Sequence, residues 1–351
     1  MGGLGKAKSV WLSLRQGLDP LHAPLDPHDD LVLGTRARSH LRELIGGDRL
    51  IPEVPEVVTE SSCGTTKFLT ELGDGNKVET VLIPSPKHDR TTVCVSTQVG
   101  CDRGCRFCAT AKMGIIRSLT GSEIISQVVQ SVSLASAAGM SPCRNVVFMG
   151  MGDAGMNLPG VSEATRALSD PERMALSASR VTVSTVGPSP EAFMSLAGLP
   201  CSLAWSLHSP RDHVRNLLVP STRHTTEELR EGLVEALKSR ENVRTRAIMI
   251  ACTLLKGVND GDGDADELAE FIKPIVEVAR KVVIDVIPYN DIGFGGLEPP
   301  EEEDVRRFTR RLKDRGCFVA VRKSRGEEDN SACGMLATER VKKKGDERVG
   351  I

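Results

Sequence analysis

Short apolar runs recur along the chain from about residue 90 onward, and segments with helical periodicity separate most of them. Seven such runs predict β-strands, at 92–96, 145–150, 180–185, 202–207, 246–250, 282–287 and 318–321. Strands that alternate with helices are typical of parallel βαβ units. The pattern therefore predicts an α/β fold, and six or seven units favour a partial or complete (β/α) barrel over a short open sheet.

Two of the predicted helices begin with a recognisable capping sequence. Thr120 with Glu123, and Thr225 with Glu228, have the capping-box spacing ahead of apolar residues at helical intervals. Residues 268–279 also predict a helix, which Pro274 should interrupt because proline cannot donate the backbone hydrogen bond.

The region before residue 90 follows a different pattern. Residues 1–30 end in a Pro- and Asp-rich stretch that predicts a loop, and Asp29 or Asp30 is expected to cap a short helix that ends at Gly46 and Gly47. That helix would carry an apolar face of Leu33, Ala37, Leu41, Leu44 and Ile45. Two β-prone runs around the turn sequence GDGN predict a hairpin within residues 65–89.

These patterns divide the chain into four regions. Residues 1–64 form an N-terminal accessory region, residues 65–89 a β-hairpin extension, residues 90–338 the core barrel, and residues 339–351 a basic C-terminal tail. The accessory region is a candidate for substrate contact.

Charge and composition exclude several classes of protein. With a formal net charge of −2 the chain is not a polycation that holds nucleic acid by bulk charge, and 3% aromatic residues argue against a broad base-stacking platform. No apolar run approaches a membrane span, and no secretory signal is visible. We expect a cytoplasmic protein; an organelle matrix is the alternative, because residues 1–18 contain basic residues and no acid.

The strongest chemical signal is the sequence GCDRGCRFC, which places Cys101, Cys105 and Cys108 on one loop after a predicted strand. Three thiolates that converge select zinc or an iron–sulfur cluster. A structural zinc site needs a fourth ligand, and no other Cys or His lies nearby in the sequence. A three-cysteine loop instead leaves one iron of a cluster open. Zinc, or three unconnected core thiols, are the weaker alternatives.

The spacing CxxxCxΦC (Φ, an aromatic residue) resembles the signature of the radical S-adenosylmethionine (SAM) superfamily. Further segments then match in order the RlmN/Cfr class of radical SAM RNA methyltransferases: CVSTQVGCDRGCRFCATAKMG, VVFMGMGD, RVTVSTVG, SLHSPRD, GVND, VIPYN and RKSRGEEDNSACGML. The resemblance covers roughly residues 65–338. It implies a partial (β/α) barrel of the radical SAM type, one [4Fe–4S] cluster on the three cysteines, and two SAM molecules per turnover.

The resemblance also implies three catalytic residues. Cys333 matches the cysteine that a first SAM methylates and from which the radical made from a second SAM then takes hydrogen, so that the resulting carbon radical adds to an adenine ring. Cys94 matches the cysteine that resolves the protein–RNA thioether by forming a disulfide. Glu79 matches the residue that removes the ring proton.

The SAM contacts implied by the resemblance lie at the ends of predicted strands, where barrel enzymes place their sites. They are Gly152, Asp153, Ser184, Ser206, Leu207, His208 and Asn290. The sequence departs from the class at Asp153-Ala154, where Glu-Pro is usual, and at Ala251-Cys252, where Glu-Tyr is usual. The shorter Asp153 puts the contact to the amino group of SAM in question.

The implied activity is methylation of carbon 2 of an adenosine in large-subunit ribosomal RNA, with tRNA as a second substrate and carbon 8 as the alternative position. A flavodoxin or ferredoxin would supply electrons, and we expect a monomer with no membrane partner. Two other readings remain open: a radical SAM enzyme for a peptide or small molecule, and an iron–sulfur protein that binds RNA without catalysis.

Two further features have more than one interpretation. Residues 305–325 hold nine Lys and Arg against Asp314 alone, which fits either a solvated helix face or a surface that steers phosphates. Residues 150–155 satisfy GxGxxG, but a dinucleotide site requires a helix to begin there, and Pro159 with Gly160 are expected to break it.

Overall fold

The computed structural model describes residues 4–22, 33–51, 58–293, 296–322 and 334–336. Its strands are β1 (Val58–Glu60), β2 (Thr66–Glu71), β3 (Lys77–Ser85), β4 (Arg90–Cys94), β5 (Gln98–Cys101), β6 (Gly114–Ser118), β7 (Cys143–Phe148), β8 (Val181–Thr185), β9 (Ser202–Ser206), β10 (Ala247–Leu254), β11 (Lys281–Pro288) and β12 (Val319–Val321). Its helices are α1 (Leu4–Arg15), α2 (Thr35–Ile45), α3 (Gly121–Ala137), α4 (Leu158–Ser169), α5 (Pro190–Ala197), α6 (Asp212–Leu218), α7 (Thr226–Lys238), α8 (Asp262–Phe271), α9 (Lys273–Val278) and α10 (Glu302–Asp314). Among these helices, none combines the length and hydrophobicity that a membrane span needs.

One ten-stranded sheet organises the chain, in the order β1-β2-β3-β4-β7-β8-β9-β10-β11-β12. Within this sheet the neighbours in the order β4-β7-β8-β9-β10-β11-β12 are parallel, whereas β1, β2 and β3 add an antiparallel extension at one edge. Strands β5 and β6 pair antiparallel in a separate two-stranded sheet. Since the two end strands of this order do not pair, the barrel is partial. The α/β prediction, all seven core strands and the hairpin are confirmed.

Strand register gives the sheet two chemically different faces. Cys94 lies opposite both Val81 and Val147, so Glu79, two residues before Val81, shares its face. Val147 lies opposite Thr182, so the next residue on that face of β8 is Ser184. We call this face the inner face. The outer face carries buried apolar side chains that pack against the helices, among them Val93, Val146, Val183, Leu203 and Ile250.

Both predicted capping boxes are present. The Thr120 hydroxyl accepts from the Glu123 backbone N–H, and the Glu123 carboxylate accepts in return from the Thr120 N–H. The pair Thr225 and Glu228 repeats the arrangement at α7. The predicted break at Pro274 is also confirmed, because α8 ends at Phe271 and α9 carries this proline in its first turn.

Three predictions for the chain before residue 50 were wrong. Residues 4–15 form α1 instead of a loop, since Leu14 is buried in the main core and Val10 and Trp11 pack against it. Gly34 caps α2, while Asp29 and Asp30 lie outside the described residues. The helix does end at Gly46, in the left-handed conformation that glycine tolerates, but its last two apolar residues, Leu44 and Ile45, are exposed.

The expectation for Pro159 was also wrong. Helix α4 begins at Leu158 and includes both Pro159 and Gly160. Proline fits the first turn of a helix because its missing N–H would have no partner inside the helix there. The helix still starts beyond the GxGxxG residues, after a short 3-10 turn over Ala154–Met156.

Candidate active site

A cavity of about 150 Å³ opens at the carboxyl ends of the parallel strands. Nine of the residues singled out from the sequence line it: Cys101, Cys105, Cys108, Gly152, Asp153, Ser184, Ser206, His208 and Asn290. They come from the cysteine loop and from the ends of β7, β8, β9 and β11. Parallel strands bring their carboxyl ends to one edge, and this is where barrel enzymes place their chemistry.

The cysteine loop is fixed at both of its ends. Strand β5 ends at Cys101, and Gly100 before it has φ +79° and lies so close to β6 that a Cβ atom would meet the Gly114 carbonyl oxygen at 1.8 Å. Further along, the Arg106 N–H donates to the Leu218 carbonyl at the end of α6 (3.1 Å). The loop therefore rests on β6 on one side and on α6 on the other.

The donor set of this loop fits an iron–sulfur cluster. Burial raises the pKa of Cys101 to about 12 and that of Cys105 well above its usual value, so cluster binding must displace protons from both thiols. Within the described part of the chain, no three Cys, His, Asp or Glu side chains are grouped to hold a single metal ion. Cysteine ligands of a cubane cluster bind different irons, so they line a cavity without meeting at one point.

Asp153 is buried and fully committed to the fold. One carboxylate oxygen accepts from the Gly155 N–H and the Thr185 hydroxyl, both at 2.8 Å, and the other accepts from the Val186 N–H at 2.7 Å. Burial raises the pKa of this carboxyl, and these three hydrogen bonds oppose that effect. The side chain thus ties the end of β7 to the end of β8.

His208 presents an unsatisfied N–H at the cavity. Its Nδ1 accepts from the Thr253 N–H (3.1 Å), whereas its buried Nε2 has no hydrogen-bond partner among the described residues. The backbone has φ +63°, and the ring contacts Phe107 of the cysteine loop at 4.5 Å between centroids. Burial lowers the pKa of His208 to about 3, so the ring is neutral and Nε2 carries its proton.

The remaining residues of the implied SAM set differ in how they face the cavity. The Ser184 and Ser206 hydroxyls lie 3.4 Å apart on neighbouring strands, and Asn290 follows β11. Leu207 is wholly buried and does not line the cavity; its N–H donates to the Ala251 carbonyl. Of the run Ser206–His208, the structure therefore brings two side chains to the cavity and one to the core.

Glu79 and Cys94 lie on the inner face beside this cavity, although neither lines it. Glu79 is 3% exposed, and one of its carboxylate oxygens lies 2.9 Å from the Lys67 ammonium on the neighbouring strand. Cys94 is buried at the end of β4. Register alone places the two residues on the same face as Ser184.

Cys333 lies outside the described residues, but the residue that follows it does not. Gly334 lines the cavity, and its carbonyl oxygen accepts from the Ala109 N–H at 2.6 Å. A Cβ atom on Gly334, which has φ +84°, would meet the Phe107 carbonyl oxygen at 2.9 Å. The chain next to Cys333 is thereby attached to the cysteine loop.

The basic stretch is largely compensated by acids. Arg311 and Arg315 of this stretch both pair with Asp266, and Arg307 pairs with Asp262 and Asp304. Val305, Phe308 and Leu312 bury the opposite side of α10. The interpretation as a charged helix face next to α8 is the one these ion pairs favour.

Sequence reasoning missed several residues that shape the cavity. Asn259 donates to the carbonyls of His208 and Thr253, both at 2.8 Å. Arg322 was noted only as part of the basic stretch 305–325, and the structure shows that it lines the cavity and pairs with Asp285 of β11. Arg215 of α6 is wholly buried and donates to carbonyls at the cavity wall. The signal for Arg215 was a lone arginine between apolar residues of a short helix.

Comparison with known proteins agrees with this geometry. Residues 95–272 match the Radical SAM superfamily. The chain is 41% identical over 290 residues to the dual-specificity RNA methyltransferase RlmN of Marinomonas sp. (strain MWYL1), covering 80% of this chain and 76% of the relative. It is 39% identical over 313 residues to a probable dual-specificity RNA methyltransferase RlmN of Chlorobium phaeobacteroides (strain BS1), covering 86% and 83%.

A solved structure shares the architecture. A radical SAM methyltransferase from Sphaerobacter thermophilus superposes with a TM-score of 0.80 at 34% identity, covering 94% of this chain and 92% of that one. The cysteine loop, the partial barrel and the identity over most of the chain agree with one another. The chain therefore belongs to the RlmN family of radical SAM RNA methyltransferases.

Proposed function

We propose that this enzyme methylates carbon 2 of an adenosine in large-subunit ribosomal RNA, with tRNA as a second substrate, through a methyl-cysteine on Cys333 and a transient protein–RNA adduct. The observation that supports this proposal is the place of Gly334. It lines the same cavity as the three cysteines and is hydrogen-bonded to their loop. The residue that follows Cys333 in the sequence therefore lies at this cavity, and no generic radical SAM reaction needs a cysteine at that position.

The cofactor assignments follow from the cavity lining. Cys101, Cys105 and Cys108 would hold one [4Fe–4S] cluster, and Gly152, Ser184, Ser206, His208 and Asn290 would contact SAM. When bound and reduced, the cluster supplies the electron that cleaves SAM into a radical. Both oxygens of Asp153 are already occupied, so we assign to this residue the positioning of the neighbouring Gly152 main chain.

Buried Glu79, paired with the half-buried Lys67, would remove the ring proton. A carboxylate that accepts a proton from carbon 2 must be ionised beforehand, and an ammonium group at 2.9 Å favours the ionised form. Cys94 lies on the same face of the sheet, two strand positions further along. From there it would attack the thioether and release the methylated base while forming a disulfide with Cys333.

The substrate base must leave its stack to reach this cavity. Enzymes that act on a base ring take the base out of the helix, and RNA is recognised mainly through unstacked bases. One extruded adenine is the substrate that best fits a cavity at the end of a barrel, and two SAM molecules per turnover supply the methyl group and the radical.

One anaerobic assay tests this proposal. Reconstituted enzyme would receive SAM, dithionite in place of flavodoxin or ferredoxin, and either ribosomal RNA fragments or tRNA. We expect 5′-deoxyadenosine and, in the digested RNA, 2-methyladenosine. Formation of 8-methyladenosine would overturn the position. Release of 5′-deoxyadenosine without RNA methylation would indicate a peptide or small-molecule substrate, and no release would indicate a non-catalytic protein.

A further inference from the structure

Helix α6 carries a buried guanidinium that hydrogen-bonds to main-chain carbonyls. Arg215 is 1% exposed and forms no ion pair with any acid in the described ranges. Its guanidinium donates to the carbonyl oxygens of Ser206 (2.9 Å), Leu207 (2.6 Å) and Val186. An unpaired buried charge is costly, so its presence beside the cavity requires an explanation.

The surroundings of Arg215 connect it to the cysteine loop. Its neighbours Val214 and Leu218 pack in one apolar cluster with Cys105, and the carbonyl of Leu218 accepts from the Arg106 N–H of that loop. Helix α6 is thus the support on which the loop rests. Val186, whose carbonyl accepts from the Arg215 guanidinium, packs in the same apolar cluster as Cys105.

The acids nearest to Arg215 are occupied elsewhere. Asp212 accepts from the Thr226 N–H, and Asp153 accepts from Gly155, Thr185 and Val186. The Arg215 guanidinium instead lies over the Trp205 ring, 5.7 Å from its centroid. Asp153 and Asp212 still act on this charge through space, but neither is bound to it, so the guanidinium is balanced only in part.

We propose that Arg215 is the electrostatic partner of the cluster: its buried charge stabilises the reduced cluster and raises the cluster's midpoint potential. A cluster bound by three thiolates is anionic, and the electron it accepts adds a further negative charge. Net charge and burial are among the factors that set the potential of iron–sulfur clusters. A fixed positive charge in a region of low dielectric is worth far more than one at the surface.

This inference rests on the proposed cluster at Cys101, Cys105 and Cys108, and it adds a residue that holds no iron. It differs from a structural explanation, in which Arg215 only joins β8 to β9 through their carbonyls. A structural clamp would affect stability and leave the potential unchanged. A variant of Arg215 that loses the charge and one that keeps it therefore distinguish the electrostatic role from the structural role.

The chain offers a matched control in Arg240. This arginine is 3% exposed, donates to the carbonyls of Cys201 (2.6 Å) and Thr245 (2.5 Å), and forms no ion pair within the described residues. Burial lowers the pKa of Arg240, as it does that of Arg215. It lies at the amino ends of the strands, away from the cysteine loop.

The experiment is a redox titration of anaerobically reconstituted full-length enzyme, followed by the electron paramagnetic resonance signal of the reduced cluster. In Arg215→Gln we expect a more negative midpoint potential. The equilibrium constant for reduction of the cluster should fall on the order of tenfold, which corresponds to about 59 mV for one electron. Arg215→Lys keeps the charge and should stay near the wild type, and Arg240→Gln should do the same.

Each outcome of this titration either supports or overturns the inference about Arg215. No shift in Arg215→Gln, or an equal shift in Arg240→Gln, would overturn the inference while leaving the proposed function intact. A wild-type chain without a cluster would overturn both. If Arg215→Gln fails to fold, Arg215→Met replaces it, because methionine is also uncharged and suits the apolar residues around this position. The same negative shift is expected, and its absence would contradict the inference.

Discussion

The two ends of the parallel strands carry cavities of unequal size and unequal chemistry. The cavity at the carboxyl ends measures about 150 Å³, and one at the amino ends of β8, β9 and β10 is larger, at about 440 Å³. Three thiols, an unsatisfied imidazole N–H and paired serines line the first. The second is lined mainly by the turns before the strands, with Arg240 and Glu241 as its charged residues. Volume therefore does not identify the reaction site, whereas the set of lining groups does.

Each end also holds a buried arginine that donates to main-chain carbonyls. Arg240 closes the turns that lead into β9 and β10, which is a sufficient structural explanation for it. Arg215 also donates to main-chain carbonyls, but at the opposite end of the strands and next to the cysteine loop. The residues around a buried charge therefore indicate whether it has a role beyond stabilising the fold. Residues of the same type at the two ends serve as controls for each other.

The largest contrast is expected between two buried thiols. Cys105→Ser should remove the cluster and all methylation, because serine is a poor ligand for iron. Cys201→Ser, at the amino end, should cost about 1–3 kcal/mol of stability for a buried hydroxyl and retain the cluster. Iron content and RNA methylation of both variants measure this. Loss of the cluster from Cys201→Ser would break the distinction between the two ends.

Cys94 and Cys143 give a second contrast, on neighbouring strands. Cys94 ends β4, and Cys143 begins β7. Cys94→Ala should stop after one turnover with RNA covalently bound to the protein, because no thiol remains to resolve the thioether. Cys143→Ala should turn over repeatedly. Denaturing gels with labelled RNA show the adduct; RNA that migrates freely from Cys94→Ala would count against the resolving role.

The hairpin provides a contrast between a buried and an exposed ion pair. Glu79→Gln should lower kcat by about 10²–10⁴-fold, the usual contribution of a general base, with cluster content unchanged. Glu71, which pairs with Lys77 at the exposed end of the same hairpin, is the control. Glu71→Gln should change kcat little, since exposed pairs contribute little. Equal rates for both variants would contradict the assignment of Glu79.

The last expected effect concerns acid stability and not activity. Burial lowers the pKa of His208 to about 3 from 6.5, so below pH 6.5 the unfolded chain binds a proton that the folded chain does not. The free energy of unfolding should fall as pH drops from 6.5 towards 3, by up to about 1.4 kcal/mol per pH unit from this residue.

His208→Asn should remove that dependence. Asparagine tolerates a positive φ, and its side-chain oxygen can accept from the Thr253 N–H as Nδ1 does. Urea unfolding of wild type and variant across this range measures the slope, with the exposed His88→Asn as control. A slope that His208→Asn leaves unchanged would show that the ring is protonated in the folded chain.

Much of the fold could be predicted from the sequence, because most strands, helix starts and turns are marked by residues that are close together in the chain. Apolar runs, capping boxes at Thr120 and Thr225, and the GDGN turn each depend on neighbouring residues, and all are present. Helix α1 was missed because its helicity depends on Leu14 reaching the core, a contact that no local pattern encodes. Pro159 was misread because its effect depends on its position within the helix.

Site residues that belong to a sequence motif could be predicted from the sequence. Site residues that are positioned by packing between distant segments could not. The cysteine spacing and the strand-end residues brought nine side chains to one cavity. Leu207 was grouped with them, but its side chain is buried in the core and does not line the cavity. Arg215 and the bond between Ala109 and Gly334 join parts of the chain that lie far apart in sequence, so only the fold could reveal them.

Metal analysis of anaerobically purified protein tests the central claim most directly. The account predicts four iron and four acid-labile sulfide per chain, lost in Cys105→Ser and retained in Cys201→Ser. Stoichiometric zinc, or a wild-type chain that takes up no iron under these conditions, would contradict it.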